Sequence, residues 1–294
     1  MIDLHSHILP GLDDGAPDLA VSLAMARAFV ADGVHVVACT PHILPGMYHN
    51  TGPHIREAVA ALQAEIDRES IPLRLVAGSD AHVTPDMIAK LRTGEILALA
   101  DTRYVLVEPP HHVAPARLDE LFFSLLVADY VPILTHPERL SWIESQYSLV
   151  ETLFDRGVWM QITAGSLTGM FGRRPKYWAE RMLDEGRVHI LATDAHEMKR
   201  RVPNLSQGRD AAAERVGFDE AEHLVVTRPE GILANVSPAS LPAPVRPLAT
   251  ATAAYDNSGA TGRTSGTPVP GRKERSGVAS GDGFTGRLRR FLGN

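Results

Sequence analysis

The chain has 294 residues, 44% hydrophobic and 22% charged, enough apolar material for one large domain or two ordinary ones. No apolar run approaches the ~20 residues that cross a bilayer, the start lacks a basic-then-apolar leader, and the single cysteine, Cys39, excludes an intrachain disulfide, so the expected location is the cytoplasm. The net charge of −6 is uneven: from Leu241 onward eight Arg/Lys face three Asp/Glu, which leaves an acidic body and argues against a broad nucleic-acid-binding face.

In chain order, short apolar runs alternate with amphipathic ones. MIDL reads as a strand leading into His5 and His7, whose i, i+2 spacing aims both imidazoles to one side. PDLAVSLAMARAFVADG follows as a helix, with Pro17 near its start and Gly33 at its stop. Then HVVACT is strand, IREAVAALQAEIDRES helix, PLRLVAG strand, PDMIAKLR a short helix, YVLVE strand and RLDELFFSLLVAD helix. VPILTH, VWMQIT and HILAT are strands, followed by the helical patterns SLVETLFDRG, YWAERMLDEG and LSQGRDAAAERVG. About seven strand-then-helix units imply a mostly parallel sheet, and a helix after almost every strand favours a closed barrel over an open doubly wound sheet.

The order ends near Pro238. The remainder is rich in Pro, Gly, Ser and Thr, with few large apolar residues, and is expected to stay disordered because burial cannot offset its ordering entropy. The reading is therefore a folded domain at 1–238 and a net basic tail at 239–294.

Titratable side chains collect where strands end. His5 and His7, His42, Asp80, Glu108, His136, and Asp194 with His196 each follow or close a strand, and in a βα barrel those ends share the face on which active sites are built. Five imidazoles and three carboxylates, with no thiolate, suit borderline-to-hard divalent metals, and so many ligands imply more than one ion. His82, two residues after Asp80, is a further candidate; the other histidines read as surface or loop residues. Asp13 and Asp14, in the loop beside the first histidines, read as hydrogen-bond partners of the ligands, as a proton donor or as turn caps.

DLHSHILPGLDDGA at 3–16, CTPH at 39–42, YVLVEPP at 104–110, LTHPER at 134–139 and TDAH at 193–196 together resemble the polymerase-and-histidinol-phosphatase (PHP) superfamily, nearest to its capsule-type bacterial metal-dependent protein-tyrosine phosphatases. The resemblance covers about residues 1–235. It implies a distorted (β/α)7 barrel of PHP type and a multinuclear centre ligated by His5, His7, His42, Glu108, His136, Asp194 and His196, with Glu108 bridging. Asp80 stands where that family usually has glutamate, one methylene shorter, so the backbone moves closer, His82 takes part, or one metal position is weakened. Arg139 and Arg201 fall where the family places phosphate-binding arginines. The implied metal is manganese, with iron, zinc, cobalt or magnesium as alternatives. The implied partner is a tyrosine-phosphorylated protein such as a bacterial tyrosine kinase, in capsule or exopolysaccharide control.

The expected chemistry is phosphomonoester hydrolysis by a metal-activated hydroxide, with the two guanidinium forks on phosphoryl oxygens. A cysteine phosphatase is disfavoured, since the residue six places after Cys39 is Pro45 and not arginine, and no P-loop motif occurs. The competing readings are a histidinol-phosphatase-like small-molecule phosphomonoesterase, a metal-dependent nuclease, and an inactive scaffold that binds a partner.

Overall fold

The computed structural model describes residues 1–246. Its elements run β1 (Ile2–Ser6), α1 (Leu19–Ala31), β2 (Val36–Cys39), β3 (His42–Leu44), β4 (Tyr48–His49), α2 (Gly52–Arg68), β5 (Arg74–Ala77), β6 (Asp80–His82), α3 (Met87–Thr93), β7 (Tyr104–Glu108), α4 (Leu118–Val127), β8 (Val131–Thr135), α5 (Ile143–Asp155), β9 (Trp159–Thr163), α6 (Ala164–Leu167), α7 (Arg173–Asp184), β10 (Ile190–Ala192), α8 (Leu205–Val216), α9 (Phe218–Glu222) and α10 (Arg228–Leu233). Helix starts follow local chemistry: the Asp18 carboxylate accepts the Val21 N–H to cap α1, and proline occupies the first turn of α2, where its missing N–H costs nothing.

Parallel pairing builds a distorted seven-stranded barrel. β1 pairs with β2 and β2 with β5, while β10, β9, β8, β7, β6 and β3 form a second parallel run that ends in the antiparallel hairpin of β3 with β4. β3 continues β2, and β6 continues β5, after short breaks, so each of these pairs serves as one kinked strand. The seam between β10 and β1 closes through the parallel bridge of Ser6 with Ala195 and through Asp3, whose buried carboxylate takes the Thr193 hydroxyl and backbone N–H. An open doubly wound sheet is thereby replaced by a closed course with a weak seam.

The floor of the barrel is apolar. Ile2, Leu4, Val36, Leu106, Ile133 and Ile190 pack there against Ile232 of α10 and Leu99. A larger core lies between the strands and the helices outside them. Leu241 packs against the floor and the Pro242 carbonyl accepts from Arg228 Nε at 2.8 Å, so the described chain continues past residue 238 onto the barrel. Beyond residue 246 the expected tail lies outside the described residues. No helix among the described residues is long and apolar enough to cross a membrane.

Candidate metal centre

One register irregularity positions the first two histidines. β1 carries an extra residue between Asp3 and Ser6 relative to β2. Strict alternation would place Leu4 and His5 on opposite faces; the bulge lets Leu4 stay in the apolar floor while His5 joins His7 above it, the re-aiming for which bulges recur beside active sites. Two further site residues stand in the left-handed region immediately past strands, His136 (φ 34°) and Asp194 (φ 53°). Non-glycine residues adopt it rarely and at a cost.

All eight sequence-derived candidates come together. His5, His7, Asp80 and Asp194 are fully or almost fully buried, and His42, Glu108, His136 and His196 line the same space. Five sets each hold ligand-type atoms mutually within 4.8 Å: His5–His7–Asp80, His5–His136–Asp194, His42–Asp80–Glu108, Glu108–His111–His136 and His7–Asp14–His42–His196. Asp14 and His111 therefore join the constellation. His82 belongs to none of these sets; its Nδ1 sits 3.4 Å from Glu108 Oε2 at the half-buried edge. Asp80 reaches the middle despite its shorter side chain, with Oδ2 at 3.5 Å from His5 Nε2 and 3.4 Å from His42 Nδ1.

The donor set fits divalent cations. His5 Nδ1 contacts Gln161 Oε1 at 2.9 Å and His7 Nδ1 contacts Asp13 Oδ2 at 2.6 Å, which assigns the protons of the neutral rings to Nδ1. Both Nε2 lone pairs then face each other at 3.2 Å, with Asp194 Oδ1 at 3.4 and 3.2 Å from them. Lone pairs and carboxylate oxygens converge in this way only around positive charge. Both Asp80 oxygens, His42 Nδ1 and His196 Nε2 are buried without hydrogen-bond partners, an expensive state that metal coordination relieves.

The charges give the same answer. Burial opposes an imidazolium at His5, yet Asp80 and Asp194 outweigh it and raise its pKa to about 9, so the carboxylates favour positive charge at this ring, which a cation on Nε2 would supply in place of the proton. Burial likewise opposes the charged His42, but the carboxylates of Asp80 and Glu108 beside its ring carry its pKa to about 12. His196 and His136 go the other way: burial, with His7 beside the former and Arg139 beside the latter, holds both below the ordinary imidazole range, His196 at about 4. The centre thus draws in cations while keeping two neutral rings ready as ligands.

A supporting layer fixes this arrangement. Gly15 lets the 10–16 loop lie against His7, because a Cβ there would come within 2.1 Å of the His7 carbonyl oxygen. Asp13 in that loop also accepts the His42 and Gly15 backbone N–H groups. The buried Glu138 accepts from the Thr163 N–H and the Ser166 hydroxyl, pinning the 137–139 turn to the start of α6. At the rim, Arg139 and Arg201 both bind Asp194 Oδ2, and the buried Arg201 Nε has no partner. Each guanidinium carries five N–H donors, so most of this donor capacity remains free for an anion.

Comparisons with known proteins follow the same outline. A family model described as "Capsular polysaccharide synthesis, CpsB/CapC" matches residues 1–234. The chain is 39% identical over 201 residues to the tyrosine-protein phosphatase YwqE of Bacillus subtilis, covering 68% of this chain and 79% of that one. It is 29% identical to the tyrosine-protein phosphatase CpsB of Streptococcus pneumoniae, over 79% of this chain and 98% of the relative. A solved structure from work on YwqE and CpsB, described there as unique metal-dependent tyrosine phosphatases, superposes with a TM-score of 0.78 at 35% identity, over 81% of this chain and 96% of the other.

Proposed function

The chain belongs to the CpsB/CapC family of capsular polysaccharide synthesis, and from that membership we propose that it is a metal-dependent protein-tyrosine phosphatase acting on a tyrosine-phosphorylated protein, such as a bacterial tyrosine kinase, in capsule or exopolysaccharide control. The observation that carries this reading is the convergence of imidazole and carboxylate ligands beneath two arginines with unused donors. His5, His7, His42, Asp80, Glu108, His136, Asp194 and His196 would hold the cations, with Asp14 and His111 close enough to join them. Imidazole and carboxylate without thiolate suit manganese, iron, zinc, cobalt or magnesium, and manganese is the cation proposed. Divalent cations held there supply Lewis acidity and a nucleophile that is available at neutral pH.

The protein's own groups do the remaining work. Arg139 and Arg201 bind the phosphoryl oxygens through their free N–H groups and stabilise the charge that spreads over them in the transition state. Asp13 keeps His7 in the tautomer that presents Nε2 to the centre. The leaving phenolate, with a conjugate pKa near ~10, departs with less proton assistance than an alkoxide needs, so the site serves aryl phosphates without a dedicated strong acid.

The test is phosphate release from a phosphotyrosine peptide and, in parallel, from histidinol phosphate, after chelation and after manganese is restored. Chelator-sensitive hydrolysis that favours the peptide and disappears in His136→Ala is the expected result. Preference for histidinol phosphate would replace the substrate, and no turnover of either by the metal-loaded protein would refute the phosphatase reading.

A further inference from the structure

Two aromatic rings flank the centre, and the chemistry above uses neither. Tyr48 of β4 lies nearly parallel to the His42 imidazole, with centroids 5.7 Å apart and planes 15° from each other. Phe171, in the loop between α6 and α7, holds the Arg139 guanidinium 4.5 Å from its ring centroid. The hairpin that carries Tyr48 extends the second strand of the barrel course, whereas the Phe171 loop follows the sixth, so the rings approach from different sides of the mouth.

Both rings are half-buried, and each follows an exposed methionine: Met47 is 64% and Met170 40% exposed. The same methionine–aromatic pair thus recurs on two separate loops at the entrance. Packing places the second pair: a Cβ on Gly165 would stand 2.9 Å from Met170 Sδ and 3.1 Å from Phe171 Cε2, so the glycine makes the room that these side chains fill.

We propose that Tyr48 and Phe171 are the walls of a slot for the phenyl ring of the substrate, and that this slot selects aryl over alkyl phosphomonoesters. The proposal rests on the phosphatase reading and deepens it. A phosphoryl group held by Arg139 and Arg201 extends its ester substituent outward past these rings. A phenyl group there gains offset or edge-to-face contact with them, whereas the single methylene of a phosphoserine gains little. Met47 and Met170 continue the apolar surface outward, with the adaptable side chain that suits varied flanking residues.

Direct titration separates this role from mere support of Arg139. Full-length, manganese-loaded protein would be titrated with benzylphosphonate, which carries a ring, and with inorganic phosphate, which does not. The wild type should bind benzylphosphonate more tightly. Phe171→Leu and Tyr48→Leu should each weaken benzylphosphonate roughly tenfold while inorganic phosphate stays within about twofold, and retained phosphate binding doubles as the control for folding. Equal weakening of both ligands would mean that the rings only orient Arg139 and His42, and would overturn the proposal. So would unchanged benzylphosphonate binding, or a wild type that binds neither. A wild type that shows the ring preference but releases no phosphate from a phosphotyrosine peptide would leave the slot standing and refute the phosphatase reading.

Discussion

One carboxylate oxygen of Asp13 lies 2.6 Å from His7 Nδ1 and also accepts the His42 backbone N–H at 2.9 Å, so a residue outside the proposed ligand set ties two proposed ligands together. The Asp13 side chain is buried, and although burial disfavours its charge, His7 and its hydrogen bonds pull its pKa down to about 2, so it is a carboxylate throughout the working range. Asp13→Asn keeps the shape but loses the charge and weakens control of the His7 tautomer. Loss of such a carboxylate–histidine contact typically costs 10–100-fold in metal affinity. Competition with a calibrated chelator should show that loss, and an unchanged affinity would remove Asp13 from the supporting role.

Arg139 and Arg201 share Asp194 Oδ2 but differ in surroundings: Arg139 rests on Phe171, whereas Arg201 leaves a buried Nε without a partner. Arg201→Lys keeps the positive charge and deletes the fork. If Arg201 binds phosphoryl oxygens, kcat/KM on a phosphotyrosine peptide should fall about 10²-fold, the scale seen when one transition-state donor is removed, with metal content unchanged. A parallel fall in metal content would show that the arginine acts through Asp194 instead.

The barrel and most of its centre are legible in the residues because both follow from short periods. Strand alternation aims His5 and His7 together, and the βα repeat sends every strand end to one face. The pieces that escape depend on loops or on irregular backbone. Asp14 and His111 enter the constellation from segments with no periodicity, and the only local signals are the DDG of one and the EPPHH of the other. The bulge that brings Leu4 and His5 to the same inner side of the barrel leaves no mark in the pattern. α10 closes the barrel floor from the sequence RPEGIL, whose apolar content is too short to register as a helix face. His189 opens the apolar run HILAT outside the set of strand-end ligands and reads as a surface or loop residue, yet it is buried against Trp159.

Beneath the barrel, Arg228 is completely buried and donates to both oxygens of Glu220, to the Pro242 carbonyl and to the His189 carbonyl. Removing one partner of such a pair strands the other charge, at a cost of about 3–5 kcal/mol. Arg228→Met should therefore destabilise the protein by that order in denaturant unfolding. The double variant Arg228→Met with Glu220→Gln should recover part of the loss, because no unpaired carboxylate remains. Equal stability of the single and double variants would show that the carboxylate finds another partner.

His189 makes stability depend on pH far from the metal centre. Its Nδ1 accepts the Met160 N–H at 3.0 Å, its ring stacks on Trp159 with centroids 4.6 Å apart, and burial, followed by the nearby Arg228 charge, holds its pKa well below the ordinary imidazole range. The folded ring is therefore neutral, while in the unfolded chain it protonates near ~6.5. Below that pH the unfolded state binds the extra proton, so stability is full above ~6.5 and falls as the solution is acidified, with a slope approaching ~1.4 kcal/mol per pH unit for this one group. His189→Asn can keep an acceptor for the Met160 N–H but has nothing to titrate. The wild-type advantage over this variant should be greatest above pH 7 and should shrink on acidification from pH 6.5 to 5, when both are unfolded in urea with saturating metal. A difference that stays constant across this range would mean that the ring is protonated in the folded protein as readily as in the unfolded one.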